Sequence, residues 1–159
     1  MPAEPLILLV EDREDDILVL RKAFERAEAP TALQVARDGE EAIGYLSGTG
    51  KYSNRAEYPL PSLVLLDLRM PRVDGFEVLR WIRNQSGLDA LIVIVLSSSE
   101  QKKDINHAYE LGANSYMVKS LEFQDATASA AMIHKYWLRC NSLPVVFRHP
   151  GPKAGNKNN

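Results

Sequence analysis

The sequence predicts a doubly wound α/β fold, a five-stranded parallel sheet covered by helices on both faces in three α/β/α layers. Three observations carry this. Continuous apolar runs of strand length recur along the chain, among them Leu6-Ile7-Leu8-Leu9-Val10, Leu63-Val64-Leu65-Leu66 and Leu91-Ile92-Val93-Ile94-Val95-Leu96. Runs of that kind suit central strands buried on both sides, whereas a half-exposed strand alternates. The segments between them space their apolar residues as helices do, and strictly alternating strands and helices imply a parallel sheet. Two of the runs end in acid, at Glu11-Asp12 and at Asp67, which places carboxylates at the sheet edge where open α/β folds bind ligands.

Size and charge bound the answer. A chain of 159 residues is expected to form one domain around one core, burying roughly 70% of its unfolded surface. The apolar content of 45% and charged content of 25% are ordinary for a globular protein. A net charge of -2 argues against nonspecific nucleic-acid binding as the main task. The charge is unevenly placed: residues 1–125 hold 14 basic and 21 acidic side chains, and residues 126–159 hold 5 basic and none acidic. Cys140 is the only cysteine, and no signal peptide or membrane-spanning run is read, so a soluble cytoplasmic protein without disulfides is expected.

In chain order, the strand at residues 6–10 leads to a helix from Asp15 or Asp16 to about Ala27, with Ile17, Leu20, Phe24 and Ala27 on one face. Leu33–Ala36 makes a short second strand. Asp38 is the expected N-cap of the next helix, with Glu41 three residues on. Residues 47–61, rich in Gly, Ser, Asn, Tyr and Pro, form a long loop read as a tolerated surface insertion. After the strand ending at Asp67, Asp74-Gly75 caps a helix to about Asn84 that buries Val78, Leu79 and Ile82. The β-branched run at residues 91–96 is the fourth strand, ending at Ser97-Ser98-Ser99. A helix from about Glu100 to Leu111 stops at Gly112, Asn114–Val118 is the fifth strand, and Lys119 follows it. The last helix runs from about Leu121 to Leu138, with Phe123, Ala126, Ala130, Ile133 and Trp137 on one stripe.

In this fold Glu11, Asp12, Asp67, Ser97 and Lys119 meet at the carboxyl edge of the sheet. Clustered carboxylates repel, and a divalent cation relieves the repulsion; oxygen-only ligands point to Mg2+ rather than zinc. With the pocket neutralised, the Asp67 carboxylate can attack a phosphoryl group and become an acyl phosphate. Ser97 would donate to one phosphoryl oxygen and Lys119 would hold another. Away from the edge, Glu100 and Asp104 read as helix-surface charges, His107 and His134 as solvent-facing, and Trp81 and Trp137 as core or interface residues.

The motifs Val10-Glu11-Asp12, Leu66-Asp67-Leu68 with Met70-Pro71 and Asp74-Gly75, Leu96-Ser97-Ser98 and Val118-Lys119 resemble, in order and spacing, the response-regulator receiver domains of two-component signalling. The resemblance covers residues 6 to about 138. It implies a flavodoxin-like sheet in the order 2-1-3-4-5, Asp67 as phosphoacceptor, and a metal held by Glu11, Asp12, Asp67 and the main-chain carbonyl of Arg69. It also implies that Ser97 and Tyr116 respond to phosphorylation. Lys135-Tyr136-Trp137-Leu138 followed by Leu143-Pro144 is similar, more narrowly, to single-domain regulators serving phytochrome-type histidine kinases.

Two features depart from the family pattern. Pro usually follows the lysine of strand five, and here Ser120 stands there; a cis bond before a non-proline costs about 2.5–4 kcal/mol, so the Lys119-Ser120 bond is predicted trans. Arg69 puts a long cation at the mouth of the acidic pocket, where it would screen the carboxylates or hinder a hydrolytic water and so alter the phosphoryl lifetime.

The expected organisation is a receiver domain over residues 1–139 and an extension over 140–159, an apolar arm followed by a disordered basic end. After Leu138 only about twenty residues remain, too few for a helix-turn-helix module of roughly 50 residues, so direct DNA binding is not expected. Output would run through a downstream protein or onward phosphotransfer to another domain; the protein is expected to be a phosphoacceptor capable of self-dephosphorylation and not an enzyme. A homodimer is expected, joined by the last helix and the apolar arm Leu143–Phe147. The competing reading is a Mg2+-dependent aspartyl-phosphate phosphatase, but enzymes of the haloacid dehalogenase type carry a second Asp two residues after the nucleophile, and Arg69 occupies that place. A dinucleotide-binding domain is a third reading, but no G-x-G-x-x-G follows the first strand.

Overall fold

A computed structural model describes residues 4–28, 31–119, 123–146 and 151–152. Five strands, β1 (Leu6–Val10), β2 (Ala32–Ala36), β3 (Leu63–Leu66), β4 (Ile92–Ser97) and β5 (Ser115–Val118), form one parallel sheet in the order β2-β1-β3-β4-β5. That order is the expected one. Five helices alternate with them: α1 (Glu14–Arg26), α2 (Gly39–Ser47), α3 (Gly75–Arg83), α4 (Lys102–Glu110) and α5 (Phe123–Met132), the last continuing as a π-helical stretch, Ile133–Cys140.

Strand periodicity divides the core in two. Leu8, Val10, Val64, Leu66, Val93 and Val95 face one way, against Ala42, Leu46, Val78, Leu79, Ile82 and Ala108 of α2, α3 and α4. Ile7, Leu9, Leu63, Leu65, Ile92 and Ile94 face the other, against Ile17, Leu20 and Phe24 of α1 and Ala126, Ala130 and Ile133 of the last helix. Burial on both faces is why β1, β3 and β4 read as unbroken apolar runs.

Local chemistry sets the helix starts. Asp38 caps α2, its Oδ1 accepting from the Glu41 N–H at 2.7 Å, and Asp74 caps α3 by accepting from the Glu77 N–H at 3.0 Å. Each bond satisfies a backbone donor that the first helical turn leaves open.

Residues 47–61 are built rather than slack. The guanidinium of Arg55 donates to the carbonyls of Tyr45, Leu46 and Tyr58, closing the C-terminal end of α2. The rings of Tyr45, Tyr52 and Tyr58 pack pairwise at 5.0–6.0 Å.

Two surface assignments are corrected. Asp104 lies on the buried side of α4, and His134 is buried with its Nδ1 sharing a 3.0 Å hydrogen bond with the Thr31 hydroxyl. His107, half-exposed, packs on Phe76 with ring centroids 4.6 Å apart and planes tilted by 46°. Trp81 and Trp137 pack against the two cores as half-buried side chains. Past the last helix, Val146 packs on the first core and Gly151–Pro152 pair antiparallel with Gln85–Ser86 of the same chain. Phe147 and the Lys119-Ser120 bond lie outside the described residues.

Candidate functional site

Register places the site. Val10 pairs with Leu66 and Leu66 with Val95, so the next residues out, Glu11 and Asp67, leave the sheet side by side. The ladder continues one step beyond the strands, the Asp67 N–H donating to the Val10 carbonyl at 3.0 Å and the Lys119 N–H to the Ser97 carbonyl at 2.8 Å. Main-chain bonds at the sheet edge therefore position Glu11, Asp67, Ser97 and Lys119 from four strands.

Gly75 fixes the loop that follows Asp67. Its N–H donates to the Leu68 carbonyl at 3.0 Å, and a Cβ built on it would lie 2.2 Å from the Asp67 carbonyl oxygen. Only glycine lets the N-terminus of α3 approach this closely. Asp74 caps that same helix, so Asp74-Gly75 anchors the loop as one unit.

Glu11 is 1% exposed and Asp67 5%, whereas Asp12 is exposed. One oxygen from each lies within 4.8 Å of the others. Lys119 crosses this group: its Nζ is 2.5 Å from Glu11 Oε2, 3.0 Å from Asp16 Oδ2 and 3.5 Å from Asp67 Oδ1. Glu11 Oε1 also accepts from the Arg13 N–H at 3.1 Å.

Burial pushes the Glu11 carboxyl up to about 7, with the Asp67 charge adding to the rise and Lys119 opposing it. Burial likewise raises Asp67, against the pull of Lys119 and of the Arg69 N–H. For Lys119 burial acts downward, but its carboxylate partners together outweigh it and hold the ammonium above its usual range. Two buried acids held above their ordinary values beside a cation mark a site, since such perturbations concentrate where chemistry is done.

A hydrogen-bonded chain leads from this pocket to Tyr116. Ser97, fully buried, accepts from the Ser99 N–H at 3.1 Å, and the Tyr116 hydroxyl donates to the Ser99 carbonyl at 2.8 Å. The Ser99 hydroxyl donates to Asp104 Oδ2 at 2.6 Å, and the Arg69 guanidinium donates to the same oxygen at 2.7 Å. Arg69 is thus turned to α4, and its cation is engaged by Asp104 rather than aimed at the pocket. The Ser99 hydrogen bond, aided by Arg69, holds the Asp104 carboxyl below its usual range. Sequence reading missed Asp16, Ser99 and Asp104. For Asp104 a signal existed, its i, i+4 spacing from buried Ala108.

A family model described as "Response regulator receiver domain" matches residues 7–131. The chain belongs to that family. Among curated relatives, the receiver is 39% identical to the probable methanogenesis regulatory protein FilR2 of Methanothrix harundinacea, over 92% of this chain and 88% of that one. It is 35% identical to the response regulator Rcp1 of Synechocystis, over 89% and 94%. Among solved structures it superposes on a response regulator in red light signalling of R. palustris, with TM-score 0.85 at 37% identity over 89% of this chain and 99% of that one. The phosphorylated cyanobacterial phytochrome response regulator RcpA gives 0.82 at 37% over the same shares. A Mn2+-bound form of Rcp1 gives 0.79 at 35%, again over 89% and 99%.

The receiver's acidic pocket suits a divalent cation, because the donors that Glu11, Asp12 and Asp67 converge are all carboxylate oxygens, the ligands of hard cations. Among the described residues no helix is long and apolar enough to cross a membrane.

Proposed function

We propose that this chain is a single-domain response regulator that accepts a phosphoryl group on Asp67 from a histidine kinase of the phytochrome type. The observation that carries the reading is the buried Asp67 carboxylate at the sheet edge, with Lys119 3.5 Å away and two further acids beside it, in a chain of the receiver family. Its similarity to regulators described as acting in red light and phytochrome signalling supports the choice of kinase.

In the transfer, an Asp67 carboxylate oxygen forms a bond to phosphorus as the bond from phosphorus to the donor's nitrogen breaks, leaving an acyl phosphate. Glu11, Asp12, Asp67 and the Arg69 main-chain carbonyl would hold a divalent cation, Mg2+ by the all-oxygen donor set, which would supply positive charge to the phosphoryl oxygens. The ammonium of Lys119 pairs with one phosphoryl oxygen and the Ser97 hydroxyl donates to another. Ser97 draws on Ser99, and Ser99 carries the change to Tyr116 through its carbonyl and to α4 through Asp104.

Output runs through protein contacts or onward phosphotransfer, in the cytoplasm. Residues 1–139 form the receiver and 140–159 an extension that packs partly on its own domain and, with the exposed face of the last helix, joins two copies. Met132, Tyr136 and Val145 support that pairing, being 59%, 55% and 82% exposed along one end of the chain.

Incubation with a small acyl-phosphate donor and Mg2+ tests the reading. A regulator accumulates a stoichiometric protein adduct. Continuous release of inorganic phosphate with no adduct would instead favour a phosphatase.

A further inference from the structure

Lys119 has one partner that the cation site does not use. Glu11 and Asp67 both belong to the group of converging oxygens, but Asp16 does not. Asp16 stands in the first turn of α1, its side chain 34% exposed, and its Oδ2 accepts from Lys119 Nζ at 3.0 Å. An ammonium carries three donors, and here three carboxylates from three elements surround it.

The nearest of the three is also the contested one. Glu11 Oε2 lies 2.5 Å from Nζ, and Glu11 is one of the three residues placed to hold a cation. A carboxylate shared by an ammonium and a divalent ion brings two positive centres within a few ångströms, a repulsion that burial strengthens. Glu11 must therefore loosen its hold on Lys119 when it serves the cation. The lysine side chain is only 15% exposed, so release into water is not open to it, and a buried ammonium without a partner is costly. Asp16 offers the alternative, and a cavity of about 30 Å3 lined by Asp16, Lys119, Leu20, Leu96, Val118 and Ala126 leaves room for the shift.

We propose that Asp16 is a positioning residue that retains Lys119 at the mouth of the pocket when Glu11 turns to a divalent cation, so that the acids and the lysine work at the same time. This rests on the cation site of the proposed function, and adds that α1 helps to hold the lysine.

The test is a double-mutant cycle on the full chain, read as Mn2+ affinity from the free-ion electron paramagnetic resonance signal, with no phosphorylation involved. Asp16→Asn, which keeps an acceptor oxygen but removes the charge that pairs with the ammonium, is expected to raise the Kd about tenfold, while Asp16→Glu stays within about twofold of wild type. In a Lys119→Ala background the same Asp16→Asn change should alter the Kd by less than about twofold, because Asp16 acts through the lysine. An equal effect in both backgrounds would show that Asp16 attracts the cation directly, and overturns the proposal. So does an Asp16→Asn Kd equal to wild type. A wild-type protein that binds no Mn2+ would overturn the cation site and this proposal together, an outcome distinct from the other two.

Discussion

Replacing Gly75 by alanine should damage both the stability and the chemistry of this receiver, although alanine is the better helix former. The added Cβ would sit 2.2 Å from the Asp67 carbonyl oxygen and 2.8 Å from Leu68 Cα, both backbone atoms that no rotamer change can move. Relief requires the start of α3 and the Asp67 loop to separate by about 1 Å. Overpacking of this kind costs about 1–3 kcal/mol, and backbone contact places it at the upper end; the gain from replacing glycine in a helix offsets at most about 1 kcal/mol. A net loss of about 2 kcal/mol lowers the melting temperature of a chain this size by about 4–8 °C. A 1 Å displacement of a reacting group can slow chemistry by about a hundredfold, so acyl-phosphate labelling should fall on that scale. Gly44→Ala is the internal control, since its Cβ would meet nothing nearer than Thr49 Oγ1 at 3.6 Å within α2. It should raise the melting temperature by about 1–4 °C and leave labelling unchanged. Thermal unfolding by circular dichroism with a labelling time course decides the matter. A Gly75→Ala protein that melts at or above wild type and labels at the wild-type rate would refute the packing argument.

Other perturbations follow from the same geometry. Asp104→Ala removes the acceptor of the Ser99 hydroxyl from a largely buried position and should cost about 1–3 kcal/mol, whereas Arg69→Ala, whose side chain is 61% exposed and solvated, should cost under about 1 kcal/mol; urea unfolding that ranks them the other way would contradict the buried role of Asp104. Burial, with Arg139 nearby, lowers the His134 imidazole below its ordinary value of 6.5. The unfolded chain therefore binds the extra proton first, and stability should be lost as pH falls below about 6.5. His134→Gln should flatten that part of the stability profile; an unchanged slope between pH 6.5 and 5 would exclude His134 as its source. Ending the chain at Asn141 should convert a sedimenting dimer into a monomer, and equal monomeric masses for both chains would leave the arm as a cover for its own domain.

Much of this was legible in the sequence because burial writes itself into strand composition. β1, β3 and β4 are covered on both faces, so their apolar runs stand out, and the acids that end them fall at one edge once the strands are parallel. The caps Asp38 and Asp74 were legible for a similar reason, since capping chemistry is local. Asp104 and His134 were not, because each is a polar residue on a buried helix face: Thr31, the partner of His134, lies 103 residues away, and Asp104 joins the nearby Ser99 to Arg69, 35 residues away in sequence. Spacing still held a trace, Asp104 four residues before Ala108 and His134 four after Ala130, both buried. Asp16 escaped because acids are usual in the first turn of any helix, where they favour the dipole, so a second duty left no mark. The order within residues 47–61 depends on one arginine reaching three carbonyls, which composition cannot show.

The central claim, that Asp67 receives the phosphoryl group, is tested most directly by mapping the adduct. Wild-type protein treated with an acyl-phosphate donor and Mg2+, trapped by borohydride reduction and digested, should carry the modification at Asp67 alone, and omission of Mg2+ should suppress it. Asp67→Asn should carry none. Modification at Glu11, Asp12 or any other residue in the wild type, or stoichiometric labelling that persists in Asp67→Asn, would contradict the assignment of the site.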